Sequence, residues 1–373
     1  MAGKYELWLT DDAGVRIAQL DDVLWFSATR HISNIAPFSM GLRETFDTSL
    51  LKPDRMVQVW RAPEGARIGL WRAYFIRGWH FATLGGQETI AVSGVGPNDL
   101  LRRRIVAAYA SSTQASKNDY ADDMMKEVVT EAFADGVEPT PDAGTRVVTG
   151  FTIQADLSNG PTLSKSFAFG RLLWPSGGGA LAEIAKASRE AGTEVFFDVV
   201  VSSVSGSSIA FEFRTYTGQP GMDVSDQVVF DQQRGNLKDP FLEFDYRDEV
   251  NYVYGGGRGQ GAARNVQQAY DAGRYSVSRW NRCEGFANAT NQTTDDSVRE
   301  AARAMLELGR PKRYFGGIPV DTRGTRFGVD WDFGDLVTAR YRGEEFTMIV
   351  RVVTLSVDET GHEAIDARLD WES

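Results

Sequence analysis

The stretch GVDWDFGDLVTARYRG, residues 328–343, sets Asp330, Asp332, Gly334 and Asp335 just ahead of an alternating run that reads as a β-hairpin. Two readings compete for it: an acidic metal loop, or a turn that starts a strand. A calcium loop of the D-x-[DN]-x-[DN]-G-x5-E type needs an oxygen ligand at its fifth position, glycine at its sixth and glutamate at its twelfth. Counted from Asp330, those positions hold Gly334, Asp335 and Tyr341, so the ligands are not in order. The turn reading fits better. Gly334 permits a backbone conformation closed to most residues, Asp335 can bond local amides, and the strand begins at Leu336.

Outward from this turn the C-terminal region continues as β. Leu336–Tyr341 and Phe346–Val357 flank the turn Arg342–Glu345. In the last run Ile365, Ala367, Leu369 and Trp371 alternate with Asp366, Arg368 and Asp370, which predicts a strand with one buried face.

The other end of the chain has the same character. Tyr5, Leu7 and Leu9 alternate with polar neighbours up to the turn Asp11–Gly14. Strand-like runs follow at Trp25–Arg30, Pro37–Leu42, Met56–Arg61, Trp71–Phe81 and Glu88–Val95, as expected of a small barrel or sandwich. The pattern changes at GPNDLLRRRIVAAYA, where Asn98 or Asp99 can cap a helix near Leu100. Arg102, Arg103 and Arg104 are the only dense basic run and read as a solvated helix face or a subunit contact.

The middle reads as α/β. A helix over Asp119–Ala134 carries Tyr120, Met124, Val128 and Ala132 on one stripe. Residues 136–165 read as loop, with Pro139, Pro141 and Gly144 among their breakers. A further helix starts near Ser176 or the following glycines and stops at Gly192, and two strands follow at Thr193–Val201 and Ser207–Tyr216. Asp295–Leu308 is a last amphipathic helix, ended by Gly309 and Pro311.

No catalytic or cofactor motif emerges. The run YGGGRGQGAARN lacks the spacing of a dinucleotide loop, since the third glycine counted from Gly257 is Gly261, one residue early. Gly257, Gly259 and Gly261 join Gly334 and Asp335 as structural turn candidates. SGGGA at 176–180 lacks the lysine of a P-loop. His31, His80 and His362 are too far apart in sequence for helical ligand spacing, and the single Cys283 allows no internal disulfide. These readings predict no catalytic residue, metal or cofactor. No apolar stretch is long enough for a membrane span, and no signal peptide is read. The net charge of −11 argues against general nucleic-acid binding, because phosphate contacts need Lys and Arg.

The order of segments resembles the tail hub proteins of long-tailed phages, a hub-like fold shared with contractile-tail baseplate hubs. GVGPNDLLRRRIV closes the first β module, and GTEVFFDVVVSSVSGSSIAFEFRTYTGQPGMDVSDQVVF is similar to the family's middle domain. NYVYGGGRGQGAARN is similar to its glycine-and-arginine stretch, and FGVDWDFGDLVTARYRGEEF to its glycine-aspartate strand start. The resemblance implies an α+β, β-rich fold with two β-barrel-like modules at the chain ends, a central α/β domain and connecting helices. The divisions expected are 1–105, 106–245, 246–310 and 311–373, the last completed by strands from 246–265.

The resemblance further implies a homotrimeric virion protein at the tail tip, assembled in the host cytoplasm. Its partners would be the tail tube or distal tail protein, the tape measure protein, and a spike or central fibre protein. Genomic DNA would pass through the lumen without specific binding. Residues 330–373 hold eleven acidic and four basic side chains, a net of −7, and like charge beside a DNA path repels phosphate. The alternative is a polysaccharide-binding protein or glycoside hydrolase built on β modules, which would need two carboxylates in a cleft.

Overall fold

Alternation of apolar and polar residues drives the first ninety-five residues into strands. In the computed structural model, residues 4–372 are described apart from 22, 64–65, 85–86, 107–113, 135–145, 169, 175–177 and 370. Pro139, Pro141, Gly144 and Ser176 therefore lie outside the described residues. The protein is α+β and β-rich. It divides into two units: residues 1–239 with 317–369, and residues 240–316 with 370–373.

In the first unit the chain runs through β1 (Lys4–Thr10), β2 (Arg16–Gln19), β3 (Val23–His31), β4 (Pro37–Arg43), β5 (Met56–Ala62), β6 (Gly69–Leu84) and β7 (Gln87–Val95). A short α1 (Asp99–Arg102) and β8 (Gln114–Tyr120) lead to α2 (Ala121–Phe133). Then come β9 (Phe151–Ile153), β10 (Thr162–Ala168), α3 (Ala180–Glu190), β11 (Val195–Val204), β12 (Ile209–Thr217) and β13 (Val229–Asp231). Next are β14 (Leu237–Asp245), β15 (Tyr252–Gly256), β16 (Val266–Tyr270), α4 (Ala272–Tyr275), β17 (Glu284–Asn288), α5 (Asp295–Leu308) and β18 (Lys312–Pro319). The chain finishes with β19 (Leu336–Tyr341), β20 (Glu344–Ile349), β21 (Val352–Val357), β22 (Glu363–Arg368) and β23 (Trp371–Glu372).

The main sheet has nine strands in the order β2-β1-β5-β6-β7-β4-β3-β21-β22. The C-terminal pair β21–β22 thus extends the N-terminal sheet, with Leu355 opposite Ala28. Leu7 and Leu9, Phe26 and Ala28, Phe38 and Met40, Val57 and Val59, Tyr74 and Ile76, and Ile90 and Val92 pack into one cluster, joined by Val357. Strands far apart in the order can share one core only if the sheet curls around it. The curled interior is stiffened by the Phe38–Tyr74 ring stack at 4.8 Å and by the buried Tyr74 hydroxyl, which donates to the Thr29 carbonyl at 2.6 Å.

The opposite face of β5 and β6 meets the middle region. Met56, Ala73 and Phe75 pack with α2, α3 and the β11-β12-β9 sheet in the largest core among the described residues. Helix α2 is buried nearly all round, so its Lys126 must be neutralised internally. Asp122 and Asp123 do this, at 3.2 and 2.9 Å. A bidentate pair, Arg72 to Asp198 with both contacts at 2.7 Å, ties β6 to β11.

Three local readings change. Asp119 and Tyr120, read as the start of a helix, instead end the strand 114–120, because the polar ribbon β8–β10 is fixed by its register with 162–168 rather than by propensity. The segment read as loop up to 165 also contains β9 and the start of β10. The run 346–357 breaks at Val350, whose amide donates to the Asp335 carbonyl, so β20 and β21 enter different sheets.

In the second unit, α5 packs on one face of the three-stranded sheet β16-β15-β17 through Val253, Ala269 and Ala302. Thr294 caps the helix by accepting from the Ser297 amide at 3.2 Å. The glycine run lets the helix come close. A Cβ on Gly255 would stand 2.6 Å from the Val298 carbonyl oxygen, and one on Gly257 2.5 Å from Val298 Cγ2.

Candidate assembly site

The stretch 325–336 folds into a self-bonded turn. Trp331 Nε1 donates to the Thr325 carbonyl at 2.9 Å, and the Arg326 guanidinium holds Asp330 at 3.1 Å. That guanidinium pulls the Asp330 carboxyl below the usual carboxylate range. Gly334 has φ +90°, and its amide donates to the Val350 carbonyl at 2.9 Å. Buried Asp335 accepts from the amides of Met222 and Asp332, both at 2.8 Å. Burial pushes its pKa up despite those bonds. Asp335 therefore clamps three chain segments, 221–222, 332 and 350.

The turn presents Phe327 to Arg61 of β5. The guanidinium lies 4.9 Å from the Phe327 ring centre, and Nη1 donates to the Phe327 carbonyl at 3.4 Å. A Cβ on Gly328 would stand 2.8 Å from that Nη1. Arg61 also meets Glu363 of β22 at 2.9 Å and donates from Nε to the Tyr5 hydroxyl at 3.1 Å. Tyr5 itself donates to Glu363. Burial, then the hydrogen bond to Glu363, push the Tyr5 hydroxyl well above its ordinary pKa.

This triad joins β1 and β5 near one end of the nine-stranded sheet to β22 at the other. The strand order leaves β2 and β22 as its two edges. Among the described residues the seam of the curled wall is therefore bridged by side chains, not by a backbone ladder. An edge of this kind is where another chain can add strands or pack.

The second unit shows an aromatic face. Tyr252 and Tyr254 of β15 point away from α5, while Val253 and Gly255 point toward it. Tyr252 and Tyr270 stack at 5.1 Å with 7° between their planes, and Arg282 caps Tyr252 at 3.8 Å. Phe286 is half exposed beneath Arg264. In the loop after α4, Val277 and Trp280 are 77% and 80% exposed.

The remaining sequence candidates fall on separate elements. Gly259 and Gly261 take φ of +110° and +54°, and Gly257 serves the helix contact described above. His31 lies on β3, His80 on β6 and His362 in the turn before β22. Among the described residues no three His, Cys, Asp or Glu side chains gather to hold a metal. Cys283 is half-buried, and its amide donates to Asn251. Arg102 and Arg103 of the basic run bond Asp99 and Asp54. No helix among the described residues is long and apolar enough to cross a membrane.

Sequence reasoning missed the seam triad. A signal for it exists: Tyr5, Arg61 and Glu363 each share strand parity with apolar residues, Leu7 and Leu9, Val57 and Val59, Ile365 and Ala367.

A family profile described as Siphovirus ReqiPepy6 Gp37-like protein matches residues 76–369. The chain belongs to this family. The phage tail hub resemblance read from the order of segments agrees with that membership. A comparison with curated proteins found no match. Among solved structures, the Gp37-like chain is similar to the 43 kDa tail protein of prophage MuSo2 from Shewanella oneidensis, with 14% identity and TM-score 0.56 over 98% of this chain and 97% of that one. It is similar to a tail protein from Neisseria meningitidis MC58, with 13% identity and TM-score 0.54 over 98% and 96%. A chain of the lidded Francisella PdpA–VgrG complex matches with 8% identity and TM-score 0.52, covering 98% of this chain and 53% of that one. This Gp37-like protein therefore has the fold of prophage tail proteins.

Proposed function

We propose that this Gp37-like protein is a structural subunit of the phage tail tip, a homotrimeric hub that acts by assembly and not by catalysis. Three copies would close into a ring. One side would meet the tail tube or distal tail ring and the tape measure protein, and the other a spike or central fibre. Two β modules per subunit, as the hub resemblance implies, would give a trimer the six β modules needed to face a hexameric ring. Ejected DNA would slide through the lumen past the acidic C-terminal region without specific binding. The virion tail tip, assembled in the host cytoplasm, would be its place.

The observation that carries this reading is the nine-stranded sheet, curled and fastened by Arg61 and Glu363, with β2 and β22 left as edges. It makes a stiff curved wall whose edges suit neighbouring subunits. The exposed Tyr252–Tyr270 face and the Trp280 loop supply apolar surface of the sort that interfaces cover. Obligate interfaces commonly bury over ~2,000 Å².

Quantitative mass spectrometry of purified tails tests the proposal. Three copies per tail support it, and absence from tails refutes it. Turnover of capsular or cell-wall glycans by the purified chain would instead favour the hydrolase alternative.

A further inference from the structure

Along one side of α3 in the first unit runs an open groove of about 830 Å³ that the hub reading does not use. Its floor is apolar, made by Ile32, Trp174, Ala185 and Val195. The Trp174 ring packs edge-on against Phe197 at 5.2 Å. The rim is cationic. Lys165 comes from β10, Arg171 from the loop before α3, Lys186 and Arg189 from α3, and Arg351 from the link between β20 and β21. Five cations thus face two lining carboxylates, Glu183 and Glu190, in a chain of net charge −11.

The rim cations keep donors to spare. Arg171–Glu183 at 3.2 Å and Lys186–Glu190 at 3.8 Å are exposed pairs, which hold their partners only weakly. Arg351 and Arg189 share Glu194, at 3.0 and 3.3 Å, in half-exposed pairs. The start of α3 contributes nothing, because the amides of Ala180 and Leu181 already donate to the Leu172 and Leu173 carbonyls.

Shape and charge select the occupant. Lining residues run from Ala182 to Glu190, about 12 Å at 1.5 Å per helical residue, which an extended chain spans with about four residues. A continuous phosphate backbone would meet repulsion from Glu183 and Glu190. A peptide offers both kinds of group: carboxylates for the arginines, and N–H donors for the two glutamates. Its apolar side chains would settle on Trp174 and Val195.

We propose that this groove receives a short extended segment of a partner polypeptide, carrying acidic residues beside at least one large apolar side chain. The proposal goes beyond the hub reading and does not depend on it, since every lining residue comes from one subunit. Ring closure can fail while this groove binds, and the reverse.

The test is an array of randomised hexapeptides probed with the purified full chain, followed by fluorescence anisotropy on the strongest peptides. Bound sequences should be enriched in Asp and Glu next to Leu, Phe or Trp. Lys186→Glu with Arg189→Glu should weaken binding by about tenfold or more. Both side chains are about two-thirds exposed, so melting should be unchanged. Ala182→Trp should block the groove outright. A pool without acidic enrichment would overturn the proposal, as would equal affinity in the charge-reversed variant. Displacement of the peptides by single-stranded oligothymidine at lower concentration would assign the groove to polyanions instead.

Discussion

Arg61 and Glu363 stand 302 residues apart in sequence and 2.9 Å apart in space, with side chains only 5% and 7% exposed. Tyr5 completes the contact from β1. Among the described residues the strand order supplies no ladder between the ends of the curled sheet, and this buried triad bridges them.

Breaking the triad on one side leaves a buried charge without its partner. Glu363→Ala should lower the unfolding free energy by roughly 3–5 kcal/mol, the range for a broken buried pair. Urea titration measures this. Arg61→Met combined with Glu363→Leu should recover most of the loss, since well-packed apolar residues often replace a buried pair at little cost. A single-variant loss within error of zero would mean that the triad does not fasten the sheet.

Asp335 gives a pH signature. Its folded pKa is raised by burial, so the protonated carboxyl is the better-tolerated form in the fold. The sign follows from linkage: its contribution is fullest below the ordinary carboxylate pKa of ~4 and declines as pH rises through the folded value. Compared with Asp335→Asn, the wild type should lose relative stability as pH rises from about 4 through the folded value. Urea titrations of both proteins across that window decide it. A relative gain with rising pH would contradict the assignment.

The glycine run of the second unit is a packing device. Gly255→Ala would push a methyl group toward the Val298 carbonyl, where the gap is 2.6 Å. The loss should be roughly 1–3 kcal/mol, as for other overpacked sites. Limited proteolysis with mass readout should show faster cleavage within 240–316 and unchanged cleavage in the first unit. Uniform resistance would show that the helix is free to shift.

The fold was legible where strands alternate and helices have stripes. The N-terminal strands, α2, α3, α5 and the turn at Gly334 all follow from local pattern. Two kinds of feature did not. The polar ribbon β8–β10 has no strand propensity of its own and exists because residues 114–120 and 162–168 pair. Partners distant in sequence are invisible as well. A charged Arg61 on the face of Val57 and Val59 announces a buried ion, but sheet curvature, not sequence spacing, selects Glu363. The glycine run reads as a backbone device from sequence, and α5 explains it: Gly255 and Gly257 both lie against Val298.

Reconstruction of intact tails by cryo-electron microscopy tests the hub assignment most directly. It should show three copies of this chain in a closed ring at the tip, with curved sheets around an open lumen. A tip that lacks the chain, or holds it as an isolated single copy off the tail axis, would contradict the assignment.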